Sequence, residues 1–522
     1  LRPPADFLLR NASVVTLDQA RPTAAIVAIK GNRILHVGGE GEAESLVGVK
    51  TRIIDCAGKA IIPGFNDAHC HPLALAASLL SVDCGPASAR SIGELQARIC
   101  QRAEQTPKGE WIRATGYNEF YLAERRHPDR WDLDQAAPDH PVKLSHRSGH
   151  ACVLNSLALK LLGIGRETPE PQGGIMERDL ESGDPNGLLF EMNPYVEKLM
   201  PPLSDGELER GMALTNEEWL CHGITSLQDA TWTDSLKRWQ TLRRFKERGK
   251  LSQRLSMMIG TEDIGGIEEF EGKGLPQKSE AGATLRLGGV KIVLHTTTGR
   301  LNPPQEELND LACRVHRAGL QLAFHVIEEN EVEAAISALE YALLRAPQTP
   351  NRDHRHRLEH CSVCPPHLVK RLKNVQAVVV TQPSFIYYSG ERYLATVPPA
   401  ELDWLYPIGS LLRSGLKVAA SSDSPVVPSN PFIGIYAAVT RTAETGQTLL
   451  PQEGISTLKA LEMYTLNSAY ASFEEGVKGR LAPGYLADLA VVGADPTQAS
   501  PETLKAIEVL MTMIDGEIVW QR

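Results

Sequence analysis

The chain lacks any apolar run approaching the roughly 18 residues of a membrane-spanning helix, so no membrane partner is expected. From Leu1 onward there is no charged segment followed by an apolar one, which argues against a secretory leader and makes a cytoplasmic location the expectation. Cysteine is sparse: nine thiols without regular spacing in 522 residues do not form a disulfide framework, and reduced thiols are expected. Cys361 and Cys364 make a C-x-x-C beside His360, but no second pair completes a zinc ribbon and no thioredoxin-like context surrounds them. Basic residues are too few for a stripe that tracks phosphates. The 54 Lys and Arg against 64 Asp and Glu leave a net charge of −10, which argues against nucleic acid and for a small-molecule substrate. Internal repeats and low-complexity tracts are absent.

What is present fits a globular enzyme: 42% hydrophobic and 23% charged residues, in a chain long enough for a (β/α)₈ barrel with insertions. The first sixty residues read as short strands (7–16, 24–29, 33–37, 52–54) punctuated by Gly31-Asn32 and Gly38-Gly39. The far end reads the same way, with β-rich segments at 487–492 and 507–520 and a hairpin turn at Asp515-Gly516. Both ends therefore predict one small β-sandwich built from discontinuous pieces, residues 1–62 and 476–522. Between them strand-like and helical stretches alternate. Strands are expected at 223–228, 254–259, 287–294, 321–326, 357–360, 375–381 and 416–421, which with the strand ending at His71 makes eight, the number a closed barrel needs. The barrel is placed at residues 63–475. The gap from His71 to residue 223 is too long for one β/α connection of about 30 residues, so an inserted cap is predicted at about residues 85–215.

The segment Pro63-Gly64-Phe65-Asn66-Asp67-Ala68-His69-Cys70-His71 carries the first chemical signal. Side chains two apart on a strand share a face, so His69 and His71 can offer two imidazoles to one cation. Four further residues stand at expected strand ends: Lys291, His325, His360 and Asp423. Their separations of 34, 35 and 63 residues correspond to one, one and two β/α units, which puts them on strands four, five, six and eight. Taken singly, a strand lysine, a core histidine or an Asp-Ser-Pro turn needs no function. Together, the C-terminal ends of barrel strands would bring all six around one point.

The order Pro-Gly-Phe-x-Asp-x-His-x-His, Lys, His, Arg-x-Glu-His and Ser-Asp-x-Pro resembles the amidohydrolase superfamily, most closely its YtcJ-like (amidohydrolase-3) branch. The resemblance covers nearly the whole chain and includes residues 150–155, Gly173-Gly174-Ile175, Asn467-Ser468-Ala469 and residues 479–484. It implies a metal-dependent hydrolase of the α/β class, with a distorted TIM barrel, a composite β-sandwich and an inserted cap, and a homodimer as a common assembly. Carried over by position, it makes His69, His71, His325 and His360 imidazole ligands and Asp423 the strand-eight carboxylate. Lys291 would bind metal only as a carbamate (N6-carboxylysine), giving a binuclear site; as an amine it implies a single ion.

The imidazole-rich shell favours Zn²⁺, one ion or two, acidifying a water, with Asp423 as proton shuttle for hydrolysis of a non-peptide C–N bond in an N-acyl amine, formamide or cyclic amide. An alternative is a mononuclear deaminase of an amino-heterocycle, with Glu328, three residues after His325, moving the proton. Its ordinary role would be in the acidic first turn of a helix. A non-catalytic relative is the third reading, opposed by the full set of ligand positions. Where the family often carries Asp-Gly-Ser after the lysine, this chain has residues 295–300, which makes His295 and Arg300 candidate substrate groups. His146 and His150 in the insertion and Gln382 after strand seven are further candidates for the pocket wall.

Overall fold

The computed structural model describes residues 3–262, 282–347 and 353–522. The chain divides into two compact units, one comprising residues 1–71, 216–294 and 305–522, the other residues 72–215 and 295–304.

The first unit is built on eight parallel strands that pair in sequence order: Phe65–Cys70, Ile224–Asp229, Arg254–Gly260, Leu285–Val293, Leu322–Val326, Arg357–His360, Val378–Thr381 and Lys417–Ala420. The first three are buried at every position, as expected for parallel strands covered on both faces. Backbone hydrogen bonds bring the sheet's ends together, with Asp423 N–H donating to His69 O (2.8 Å) and His71 N–H to Ser424 O (3.0 Å). Two glycines permit close approaches that side chains would block. A Cβ on Gly64 would lie 2.3 Å from the Thr225 side chain, and one on Gly289, two residues before Lys291, would lie 2.5 Å from Gln321 O. The outer helices are amphipathic. Gln305–Arg317 buries Leu308, Ala312 and Val315 and carries acids in its first turn and bases in its last, which suits the helix dipole.

The strand positions agree with expectation to within three residues. The largest deviation is in strand seven, where residues 375–377 form the turn that ends the preceding helix, with Gln376 left-handed at φ 51°. Both termini contribute to β structure in the same unit. One sheet has the order Arg33–Gly38, Ile26–Lys30, Phe7–Arg10, Arg52–Asp55; the other has the order Glu517–Gln521, Val509–Ile514, Leu489–Val492, Ala60–Pro63, Ser13–Val15, Thr23–Ala24. The single strand expected over residues 7–16 is two, one in each sheet, because Asn11 turns the chain with φ 54°. Leu9, Val27 and Ile29 of one sheet share an apolar cluster with Ile61, Leu489 and Met513 of the other. Each such side chain contributes about 1.5–3 kcal/mol on burial. Arg254, at the start of the third barrel strand, reaches Asp488 (2.6 Å) and Asp515 (2.5 Å) and so ties the barrel to the C-terminal strands.

The second unit has its own six-stranded sheet in the order Ile175–Arg178, Pro185–Phe190, Ala151–Leu154, Val142–His146, Ile112–Tyr117, Val82–Asp83. A core of Leu95, Ile99, Leu133, Leu144 and Val153 lies on it. It begins earlier than the expected residue 85, since Val82–Asp83 is already its edge strand. It also takes in residues 295–304, which lie far outside the expected insertion. Buried Asn155 organises one corner by accepting from Val142 N–H and Ala158 N–H and donating to His140 O.

Candidate metal centre

Five of the six expected ligands are in direct contact at the C-terminal ends of the barrel strands. His71 Nε2 lies 2.9 Å and His69 Nε2 3.4 Å from Asp423 Oδ1. The ring of His360 lies 4.9 Å from that of His69 and 4.4 Å from that of His325. One donor atom each from His69, His360 and Asp423 fits within 4.8 Å. Lys291, on the fourth strand, is buried and acts electrostatically on His69 and His360.

Two backbone features aim these groups. His360 (φ 68°) and Asp423 (φ 59°) are left-handed without being glycine, a strain of about 1–3 kcal/mol each that clusters at functional sites. Neighbours on a regular strand point to opposite faces, and the turn at His360 breaks that alternation, so that Glu359 and His360 both serve the same centre.

The electrostatics favour a cation. Burial would push the Asp423 carboxyl up, but the facing His69, His71 and His360 outweigh it and hold it well below the usual carboxylate range. Burial, reinforced by Lys291, pulls His69 down to about 3, and burial takes His360 to about 4, so both rings are neutral at pH 7. Burial also lowers Lys291 to about 8 against the opposing pull of Glu359 and Asp423. Among the expected ligands, His360 Nε2 and Lys291 Nζ are buried polar atoms with no hydrogen-bond partner. Neutral imidazole nitrogens, an anionic oxygen and an unpaired acceptor converging in a buried site are the donor set a divalent cation requires.

The remaining expected residues fall elsewhere. Gln382 accepts from His360 Nδ1 at 2.7 Å and donates to Ser421 Oγ at 2.9 Å, so it supports a ligand. Glu328 is exposed and caps the helix Glu329–Arg345, where Glu331 accepts from the Ile327 and Glu328 N–H groups. His146, His150, His295 and Arg300 belong to the second unit. There His146 Nε2 faces Glu119 at 2.9 Å, His150 Nδ1 is 3.0 Å from Glu191, His295 Nε2 meets Asn302, and Arg300 is exposed.

Sequence reasoning assigned no role to Asp67, Thr231, Arg357 or Glu359. Asp67 accepts from Ser422 N–H and Oγ–H and from His69 N–H, which joins the first strand to the eighth; burial raises its carboxyl to about 6. Thr231 Oγ1 meets His71 Nδ1 at 2.8 Å. Glu359 Oε2 lies 2.6 Å from His69 Nδ1. The signal was available in part, since Asp67 and Glu359 stand inside the two motifs that carry the histidines.

A model of the amidohydrolase family matches residues 52–520. This chain belongs to that family. The amidohydrolase is 30% identical to the N-substituted formamide deformylase of Arthrobacter pascens, over 99% of this chain and 98% of that one. It is 27% identical to YtcJ of Bacillus subtilis over 91% of both chains. Among solved structures it resembles an uncharacterized metal-dependent hydrolase of Pyrococcus horikoshii, with a TM-score of 0.75, 24% identity and coverage of 95% of this chain and 99% of that one. The amidohydrolase is accordingly a hydrolase with a parallel eight-stranded α/β barrel, and among its described residues no helix is long and apolar enough to cross a membrane.

Proposed function

We propose that this amidohydrolase cleaves a non-peptide C–N bond of a small molecule, with an N-substituted formamide as the leading substrate and a divalent cation, Zn²⁺ by preference, in the barrel site. The observation that carries this is the convergence of buried His69, His360 and Asp423 with half-buried His71, with His360 Nε2 unpaired. The formamide assignment draws on the relative that matches over almost its full length. A cation bound by these donors would supply Lewis acidity toward the substrate carbonyl and acidify a water molecule. Asp423, ionised at neutral pH, would take a proton from the attacking water on its carboxylate and return it to the leaving nitrogen, so that amide and water become acid and amine. His69 and His360, neutral at pH 7, keep lone pairs available.

Lys291 decides between one ion and two. Its buried, unpartnered Nζ supports a carbamate: the neutral amine would add to carbon dioxide, losing a proton, and yield a carboxylate that would offer oxygen donors for a second ion. Deamination of an amino-heterocycle is the weaker reading, because Glu328 is exposed at a helix start. Elemental analysis of the purified protein with a screen of formamides, N-acyl amino acids, lactams and amino-heterocycles tests the proposal. Turnover confined to amino-heterocycles would overturn it.

A further inference from the structure

We propose that Arg357 and Glu359 form a buried positioning pair that keeps the proton of His69 on Nδ1 and so makes its Nε2 a stronger donor than the ring nitrogens of His71 and His360. This rests on the metal reading above.

Three site imidazoles have a side-chain partner at Nδ1, and the partners differ in chemistry. His71 meets the Thr231 hydroxyl (2.8 Å), which can donate or accept. His360 meets the Gln382 carbonyl (2.7 Å), oriented by the amide's bond to Ser421. His69 meets the Glu359 carboxylate (2.6 Å). Of these partners only Glu359 is an anion, and an ionised carboxylate can only accept, so His69 Nδ1 must carry the hydrogen and Nε2 the lone pair. Both residues are fully buried, which strengthens a charge-assisted bond.

Glu359 cannot turn away. Arg357 Nε donates to Oε1 at 2.7 Å and Nη2 to Oε2 at 3.0 Å, a two-point grip between residues two apart on one strand face. Two further guanidinium donors reach Gln228 Oε1 on the second strand and Ala68 O on the first, beside His69 itself. Gln228 is held in turn by Asn66 and Ser468. The sixth strand thus fixes a ligand of the first through a carboxylate that touches neither substrate nor reacting atoms. An Arg–Glu pair serving only stability would spend Oε2 on arginine alone; here that oxygen also receives the imidazole.

The test uses the full chain, metal-free and loaded with Zn²⁺. Wild type should show a strongly downfield imidazole N–H proton resonance without metal, lost on Glu359→Gln. Zn²⁺ affinity from chelator competition should weaken about 10–100-fold in that variant. Because Glu359→Gln leaves Arg357 buried without its anion, the double variant Arg357→Met/Glu359→Gln is measured beside it and should weaken Zn²⁺ binding equally. A folded variant that binds Zn²⁺ within twofold of wild type overturns the proposal, as does a metal-free wild type without the downfield resonance, whatever the variants do. Wild type that takes up no Zn²⁺ sinks the metal reading itself, a distinct result.

Discussion

Replacing Asp423 by asparagine removes one charge and almost no volume. The left-handed backbone at this position (φ 59°) is one that asparagine adopts readily, and the bond from its N–H to His69 O does not involve the side chain. Folding should therefore survive. What is lost is the proton acceptor, 2.9 Å from His71 Nε2 and held ionised by the three imidazoles around it. Removal of a positioned general base costs about 10²–10⁴-fold in rate, or about 3–5 kcal/mol of transition-state stabilisation. The assay is kcat and KM for formate release from an N-substituted formamide at saturating Zn²⁺, with circular dichroism and metal content recorded on the same sample. A fall in kcat of at least a hundredfold with native dichroism is expected. Asp423→Asn retaining more than about a tenth of wild-type kcat would refute the assignment.

Other consequences follow from the same geometry. Lys291→Met should abolish turnover and reduce two bound ions to one if the carbamate forms; a folded variant with unchanged metal content and activity rules the lysine out of the site. The buried histidines His316, His354 and His356 pack together at the opposite end of the sixth strand, with burial lowering all three and taking His354 to about 4. Their folded-state values lie below the unfolded 6.5, so the unfolded chain binds more protons in acid. Stability should be complete above pH 6.5 and fall as pH drops toward 4, by about 3 kcal/mol for His354. Denaturation of wild type and His354→Leu across pH 7 to 4.5 checks this, and parallel curves would refute it. Arg254→Met strands the buried Asp488 carboxylate and should cost about 3–5 kcal/mol, read as a lowered Tm; an unchanged Tm would show that the tie between barrel and terminal strands carries no stability.

The barrel was legible in the sequence because its strands are short apolar runs bounded by turns, and because Lys291, His325, His360 and Asp423 recur at β/α intervals. Where boundaries shifted, single residues of unusual backbone were responsible: Asn11 splits one expected strand, and Gln376 shortens another. The role of Glu359 was hidden for a different reason. Beside a ligand on a strand, it reads as pointing away, and only the left-handed turn at His360 and the side-chain contact between the non-adjacent strands one and six bring it to His69. The recruitment of residues 295–304 into the second unit carries no local sequence signal, because it depends on long-range pairing such as that of Gln172 with Asn302.

Metal-dependent hydrolysis is the central claim, and formate release by chelator-treated protein titrated with Zn²⁺ addresses it most directly. The site geometry predicts negligible release from the metal-free protein and recovery that saturates at one or two equivalents per chain. Full activity in protein shown by elemental analysis to hold no metal would contradict it.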